Sequence, residues 1–230
     1  LPPAPWSNVV ANSAFGFVVT ERGAGYTWAG NSQTNRLTPW SNDPVGDLSG
    51  EALYLRDEDD GRHWSPTPLP AGGASPYLTR HGFGYSVFEH VCGGIASELR
   101  TYVATDAPVK FLVVKLRNRS GRPRRLSLTG YFELVLGATR SANMLHVVTE
   151  VDAGSGGLFA RNAYAGEFAP RVAFLDSSES QRSVSGDRLE IIGRNGTLAR
   201  PAAMKRVRLS GRVGAGLDPC LAMQVGVELA

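Results

Sequence analysis

The sequence predicts an all-β fold, a large antiparallel β-sandwich that forms a single domain over residues 1–230. Three observations predict it. Apolar residues recur with a period of two along many short segments, as in strands whose two faces meet different surroundings. Hairpin-type dipeptides separate those segments, and the 27 glycines and 14 prolines are spread along the chain rather than pooled in a linker. No long amphipathic helix, fixed repeat or low-complexity tract interrupts the pattern. With 42% hydrophobic and 20% charged residues, a chain of this length can fill one large core, which excludes a disordered or fibrous polymer.

Taken in order, residues 53–55 and 82–89 read as strands, followed by 99–103 and 109–117. The last of these is apolar enough to be buried on both faces. Residues 126–136 carry the clearest alternation: Leu126, Leu128, Phe132, Leu134 and Leu136 share one face, while Ser127, Thr129, Tyr131 and Glu133 share the other. Residues 145–151, 189–191 and 207–209 look like shorter versions, with His146 on a polar strand face. Leu221, Met223, Val225, Val227 and Leu229 repeat the pattern near the end. Asp60-Gly61, Ser120-Gly121, Gly156-Gly157, Gly186-Asp187 and Asn195-Gly196 supply the turns.

Charge narrows the function classes. Lysine accounts for three of the 24 basic residues, which leaves 21 arginines, yet the net charge is only +3. A nucleic-acid binder concentrates its basic residues and carries a larger excess, so no nucleic-acid partner is expected. The one dense stretch, residues 117–125, reads as a solvated hairpin loop. Apolar runs such as residues 111–114 fall far short of the roughly 18 needed to cross a bilayer, so no membrane contact is expected. The opening residues 1–5 have neither the basic start nor the apolar stretch of a secretory leader. Cys92 and Cys220 have no metal-ligand spacing and read as buried free thiols in a reducing compartment. The acidic run 57–61 lacks the oxygen spacing of a calcium loop and reads as a hairpin turn. His63, His81, His90 and His146 show no metal pairing, and no phosphate-loop, nucleophile-elbow or dinucleotide fingerprint occurs. No cofactor or metal is expected.

One segment stands apart. Residues 26–45 hold Tyr26, Trp28, Trp40, Asn31, Asn35, Asn42, Arg36 and Asp43, with little alternation, so much of it is loop. Indole faces can stack on a pyranose and amide or guanidinium forks can grip its hydroxyls. On composition alone the simpler reading has Trp28 and Trp40 plugging the sandwich while the polar residues cap turns. Glycoside chemistry needs two carboxyls across a cleft, or one acid with phosphate as nucleophile; Asp43, Glu51 and Glu89 are conceivable, and nothing singles out a pair.

Longer motifs are more specific. Residues 5–17, Tyr26-Thr-Trp28, Gly30-Asn-Ser32 and residues 37–45 closely resemble glycoside hydrolase family 94, formerly glycosyltransferase family 36, in the part found in cyclic β-1,2-glucan synthases. Residues 53–57, 64–68, 193–201 and 209–220 match it as well. The family includes cellobiose and chitobiose phosphorylases, and the resemblance implies a supersandwich of the galactose-mutarotase-like kind, joined in the parent protein to an (α/α)6 barrel. The general acid belongs to that barrel, which is absent from these 230 residues. The resemblance therefore implies a non-catalytic domain that positions a β-glucan oligosaccharide, packs on the barrel and helps to form a homodimer. It implies a cytoplasmic setting, with the parent anchored in a bacterial inner membrane. It also raises the sugar-facing reading of the loop above the plug: Trp28 and Trp40 would stack on sugar rings, and Asn31, Asn35, Arg36, Asn42 and Asp43 would bond hydroxyls. A domain for barrel packing and dimerisation alone is the alternative. Relatives continue past residues 225–229 into another strand, so an exposed edge is expected there.

Overall fold

A computed structural model describes residues 4–43, 45–46 and 48–230. Residues 1–3 of the opening stretch and Pro44 of the singled-out loop lie outside the described residues. The chain builds β1 (Ser7–Ala11), β2 (Phe15–Thr20), β3 (Gly25–Ala29), β4 (Glu51–Asp57), β5 (His63–Trp64), β6 (Tyr77–Gly82), β7 (Tyr85–Cys92), β8 (Ile95–Val103) and β9 (Lys110–Asn118). It continues with β10 (Arg124–Glu133), helix α1 (Arg140–Asn143), β11 (Val147–Val151), β12 (Leu158–Asn162), β13 (Ala173–Leu175), β14 (Arg182–Asp187), helix α2 (Arg188–Ile192) and β15 (Pro219–Leu229). All strand pairs are antiparallel, in four sheets ordered β1-β2-β3, β14-β15-β10-β4-β5, β11-β12-β13 and β6-β7-β8-β9. The predicted antiparallel sandwich is the fold. No helix among the described residues is long and apolar enough to cross a membrane.

The five-stranded sheet is the centre. On one face, Leu128 and Phe132 pack with Leu158 and Met223 against β11–β13, and Leu126 packs with Leu55, Trp64 and Ile95 toward β7–β9. A further cluster of Phe17, Phe88 and Leu99 joins β1–β3 to the four-stranded sheet.

Several expectations change. The face of Ser127, Thr129 and Tyr131 is covered: Thr129 and Tyr131 are fully buried, the latter in a cluster with Ile191, Ile192, Ala203 and Met204. The covering segment is helical rather than a strand at 189–191, because the Asp187 carboxylate caps it by accepting from Leu189 N at 3.0 Å. Residues 207–209 also lie outside any strand, and His146 ends a 3₁₀ turn ahead of β11. Residues 110–118 alternate between half-buried and exposed, because β9 is the sheet edge and only one of its faces meets the core. The edge expected at residues 225–229 is present: β15 is flanked by β14 and β10 up to Val225, and beyond it the side opposite β10 has no strand partner among the described residues.

The two charged hairpins neutralise each other. Arg124, from the basic stretch, is buried and ion-pairs with the buried Asp57, while Arg122 and Arg125 pair with Asp59. The two turns thus bind each other, while Arg117 and Arg119 of the same stretch stay exposed.

Candidate functional site

β3 places Gly25, Thr27 and Ala29 inward and leaves Tyr26 and Trp28 half-buried on the opposite face. The loop that follows is folded back and fastened to the same strand. Thr38 Oγ1 accepts from Thr27 N at 2.8 Å, Leu37 N donates to Thr27 O at 2.8 Å, and Trp28 and Arg36 form an antiparallel bridge. Asn31 Oδ1 accepts from Gln33 N and Thr34 N at 2.8 and 2.9 Å, and Asn35, only 4% exposed, donates its amide to Ala29 O at 2.7 Å. Both asparagines therefore hold the turn, Asn35 from a buried position and Asn31 through its oxygen while its side chain stays exposed.

That fastening brings Trp40 back beside β3. The Tyr26 ring lies 5.3 Å from Trp28 and 5.1 Å from Trp40, centroid to centroid, tilted by 37° and 39°. The Arg36 guanidinium sits 5.8 Å from the centre of the Tyr26 ring. The result is a ledge of three partly exposed rings with one cation across the middle. The structure thus gathers Trp28, Trp40 and Arg36 around Tyr26, a residue the sequence reading did not select. Its spacing of two from Trp28 on a strand was the available signal. Asn42 is exposed in the turn after Trp40, and Asp43 Oδ1 accepts from Val45 N and Gly46 N at 3.0 and 3.1 Å.

Three features make the ledge rigid. A Cβ at Gly16 would stand 2.5 Å from Trp28 Cζ2, so the indole lies flat on a glycine backbone. Beneath β3, Glu51 accepts from Thr27 and Thr38 hydroxyls at 2.6 Å each and from Lys110 Nζ at 2.5 Å. Burial pushes the Glu51 carboxyl up, but the Lys110 charge and the hydrogen bonds from Lys110, Thr27 and Thr38 outweigh it and hold it below its ordinary value. Behind the loop, Arg36 and Gly137 exchange backbone bonds at 2.9 and 3.2 Å next to Leu136, whose φ of 46° costs about 1–2 kcal/mol for a residue with a Cβ. Asn162 Nδ2 holds that carbonyl at 3.0 Å.

Of the three carboxylates conceivable as catalysts, Glu51 is buried in its ion pair, Glu89 pairs with Arg80, and Asp43 closes a turn. Among the described residues, no three histidine, cysteine, aspartate or glutamate side chains converge as a metal site would require. His81 contacts Ser86 Oγ at 2.9 Å, and His90 contacts Pro76 O at 3.1 Å and stacks on Tyr77, so both are bound into the sheet.

Comparison with known proteins gives a consistent picture. The model of the glycosyl hydrolase 94 supersandwich domain matches residues 1–230. The cyclic beta-(1,2)-glucan synthase NdvB of Rhizobium meliloti (strain 1021) is 35% identical over 229 residues, covering 99% of this chain and 8% of that protein. The N,N'-diacetylchitobiose phosphorylase of Vibrio proteolyticus is 26% identical over 225 residues, covering 95% of this chain and 28% of that protein. The solabiose phosphorylase of Paenibacillus borealis is 34% identical over 85 residues, covering 36% of this chain and 11% of that protein. The chain thus spans less than a third of the length of each of these relatives.

Proposed function

The chain belongs to the glycosyl hydrolase 94 supersandwich domain family, and on that premise we propose that it is a non-catalytic domain that holds a β-glucan oligosaccharide for chemistry performed elsewhere in a larger protein. Trp28, Tyr26 and Trp40 stack on sugar rings, Arg36, Asn42 and Asp43 bond hydroxyls, and Asn31 and Asn35 keep the loop in place. The observation that carries this reading is the row of three partly exposed rings, 5.1–5.3 Å apart, on a strand anchored by the buried Glu51–Lys110 pair. Exposed aromatic rings beside a few fixed polar groups are what a pyranose needs. The names of the relatives, a cyclic β-1,2-glucan synthase and disaccharide phosphorylases, support a carbohydrate ligand, and their greater length supports a catalytic partner elsewhere in a larger protein. The free thiols of Cys92 and Cys220 favour a cytoplasmic setting.

Tryptophan fluorescence titrated with β-1,2-gluco-, cello- and chito-oligosaccharides tests the reading. A saturable change with one of them, weakened about tenfold or more in Trp40→Ala with the circular dichroism unchanged, is the expected result. A flat titration in the wild type refutes it. The second reading, a domain for barrel packing and dimerisation, is favoured by Leu78, Val91, Phe111 and Val113, all exposed on the four-stranded sheet. It predicts no sugar response and a dimer by sedimentation.

A further inference from the structure

A groove of about 740 Å³ opens between β1 and the β7–β8 end of the four-stranded sheet, and no residue of the ledge itself lines it. That volume lies within the range of about 300–1,000 Å³ usual for ligand clefts. Its walls carry Tyr85 and Tyr102, with Arg100 over the Tyr85 ring at 5.8 Å and Tyr102 stacked on Phe111 at 5.2 Å. At its rim Phe83 is 105% exposed, so folding gives no reason for a phenyl ring there. The hairpin that presents it is nonetheless held firmly. Asn8 Nδ2 donates to Gly82 O, Tyr85 O and Ser86 Oγ at 3.1, 2.9 and 3.1 Å.

The groove and the ledge meet. Ala11, Gly16 and Trp28 form one row across β1, β2 and β3, and a Cβ on Gly16 would lie 2.7 Å from Ala11 Cβ as well as against the indole. Ala11 is also a wall of the groove. From β1 to β3 is two strand spacings, about 10 Å. A path of rings therefore runs from Trp40 through Tyr26 and Trp28, whose indole covers the buried Gly16, past Ala11, to Tyr102, Tyr85 and Phe83.

We infer that the groove is the continuation of the ledge and that the ligand is an extended, linear glucan segment several units long rather than a disaccharide. The absence of a side chain at Gly16 lets the Trp28 indole reach over toward Ala11, which joins the two halves. Arg100 supplies a polar contact in the groove as Arg36 does on the ledge. This inference rests on the ledge being a sugar surface.

The test compares a disaccharide with a hexasaccharide of the linkage that binds, using calorimetry on the 230-residue chain. The wild type binds the hexasaccharide about tenfold or more tighter. Phe83→Ala, which removes a fully exposed ring and keeps the melting temperature, abolishes that advantage and leaves disaccharide affinity unchanged. Phe83→Trp retains it, and Trp40→Ala weakens both ligands. If Trp40→Ala weakens the hexasaccharide but Phe83→Ala does not, the groove is no part of the site and this inference falls while the ledge stands. If the wild type binds neither ligand, the ledge reading fails and the inference with it.

Discussion

Two sheet faces in this molecule show opposite relations between pattern and burial. On the central sheet, the polar-looking face of β10 carries Thr129 and Tyr131, both fully buried, Tyr131 under α2 and the 3₁₀ turn at 202–205. On the four-stranded sheet, the apolar strand β9 turns Phe111 and Val113 to the outside, 42% and 37% exposed. An alternating sequence says which residues share a face. Whether another layer covers that face depends on where distant segments pack, so hydrophobicity within the strand is a poor guide to it.

Breaking the covered face has the largest expected effect. Tyr131→Ala leaves a cavity among Ile191, Ile192 and Met204 and costs about 3–5 kcal/mol in urea unfolding. Phe111→Ala, the matching truncation on the open face, costs within about 1 kcal/mol. Equal losses at the two sites would mean that the outer face of β6–β9 is covered in solution.

Lys110→Met tests the pin between the sheets. It leaves the Glu51 carboxylate buried without its cation and costs about 3–5 kcal/mol near neutral pH. The pair also has a pH signature. The Glu51 carboxyl is held lower in the folded chain than its ordinary 4.5, so the unfolded chain binds its proton first as acid is added. Its contribution is therefore fully present above about pH 4.5 and is lost as pH falls through the folded value. Glu51→Gln should flatten the stability profile below pH 4.5, and an unchanged slope there would assign the acid sensitivity to other groups.

Gly16→Ala is a smaller change that sharpens the contrast between a packed interior and a packed surface. Its methyl group meets the Trp28 ring at 2.5 Å, and the predicted loss is about 1–3 kcal/mol with an altered tryptophan emission. An unaltered spectrum would show that the indole is free to lift from the backbone. The smallest stability effect is expected of Phe83→Ala, within about 0.5 kcal/mol, since the ring touches little of the fold.

Much of the ledge was legible in the chain, and its omissions have physical causes. Trp28, Arg36 and Trp40 could be selected because indoles and a guanidinium crowded in a loop are unusual. Tyr26 was passed over although it sits two residues from Trp28, because a single aromatic pair on a short strand does not reveal which face is covered. Asn31 and Asn35 have the composition of ligand groups and the geometry of turn closures, and only their hydrogen bonds distinguish the two. The groove at Phe83 joins residues some seventy positions from Asn12, so no local pattern could announce it.

By itself the sequence determined the class of fold, the positions of most strands and turns, and the membership of a family, because period-two alternation, turn dipeptides and long motifs are local properties of the chain. Tertiary structure decided which faces are covered, that the acidic and basic hairpins pair with each other, that residues 188–192 cap into a helix, and that two indole rings and a cation converge on Tyr26. Those outcomes depend on contacts between segments far apart in the chain, where burial and hydrogen-bond geometry outweigh the preference of any one residue.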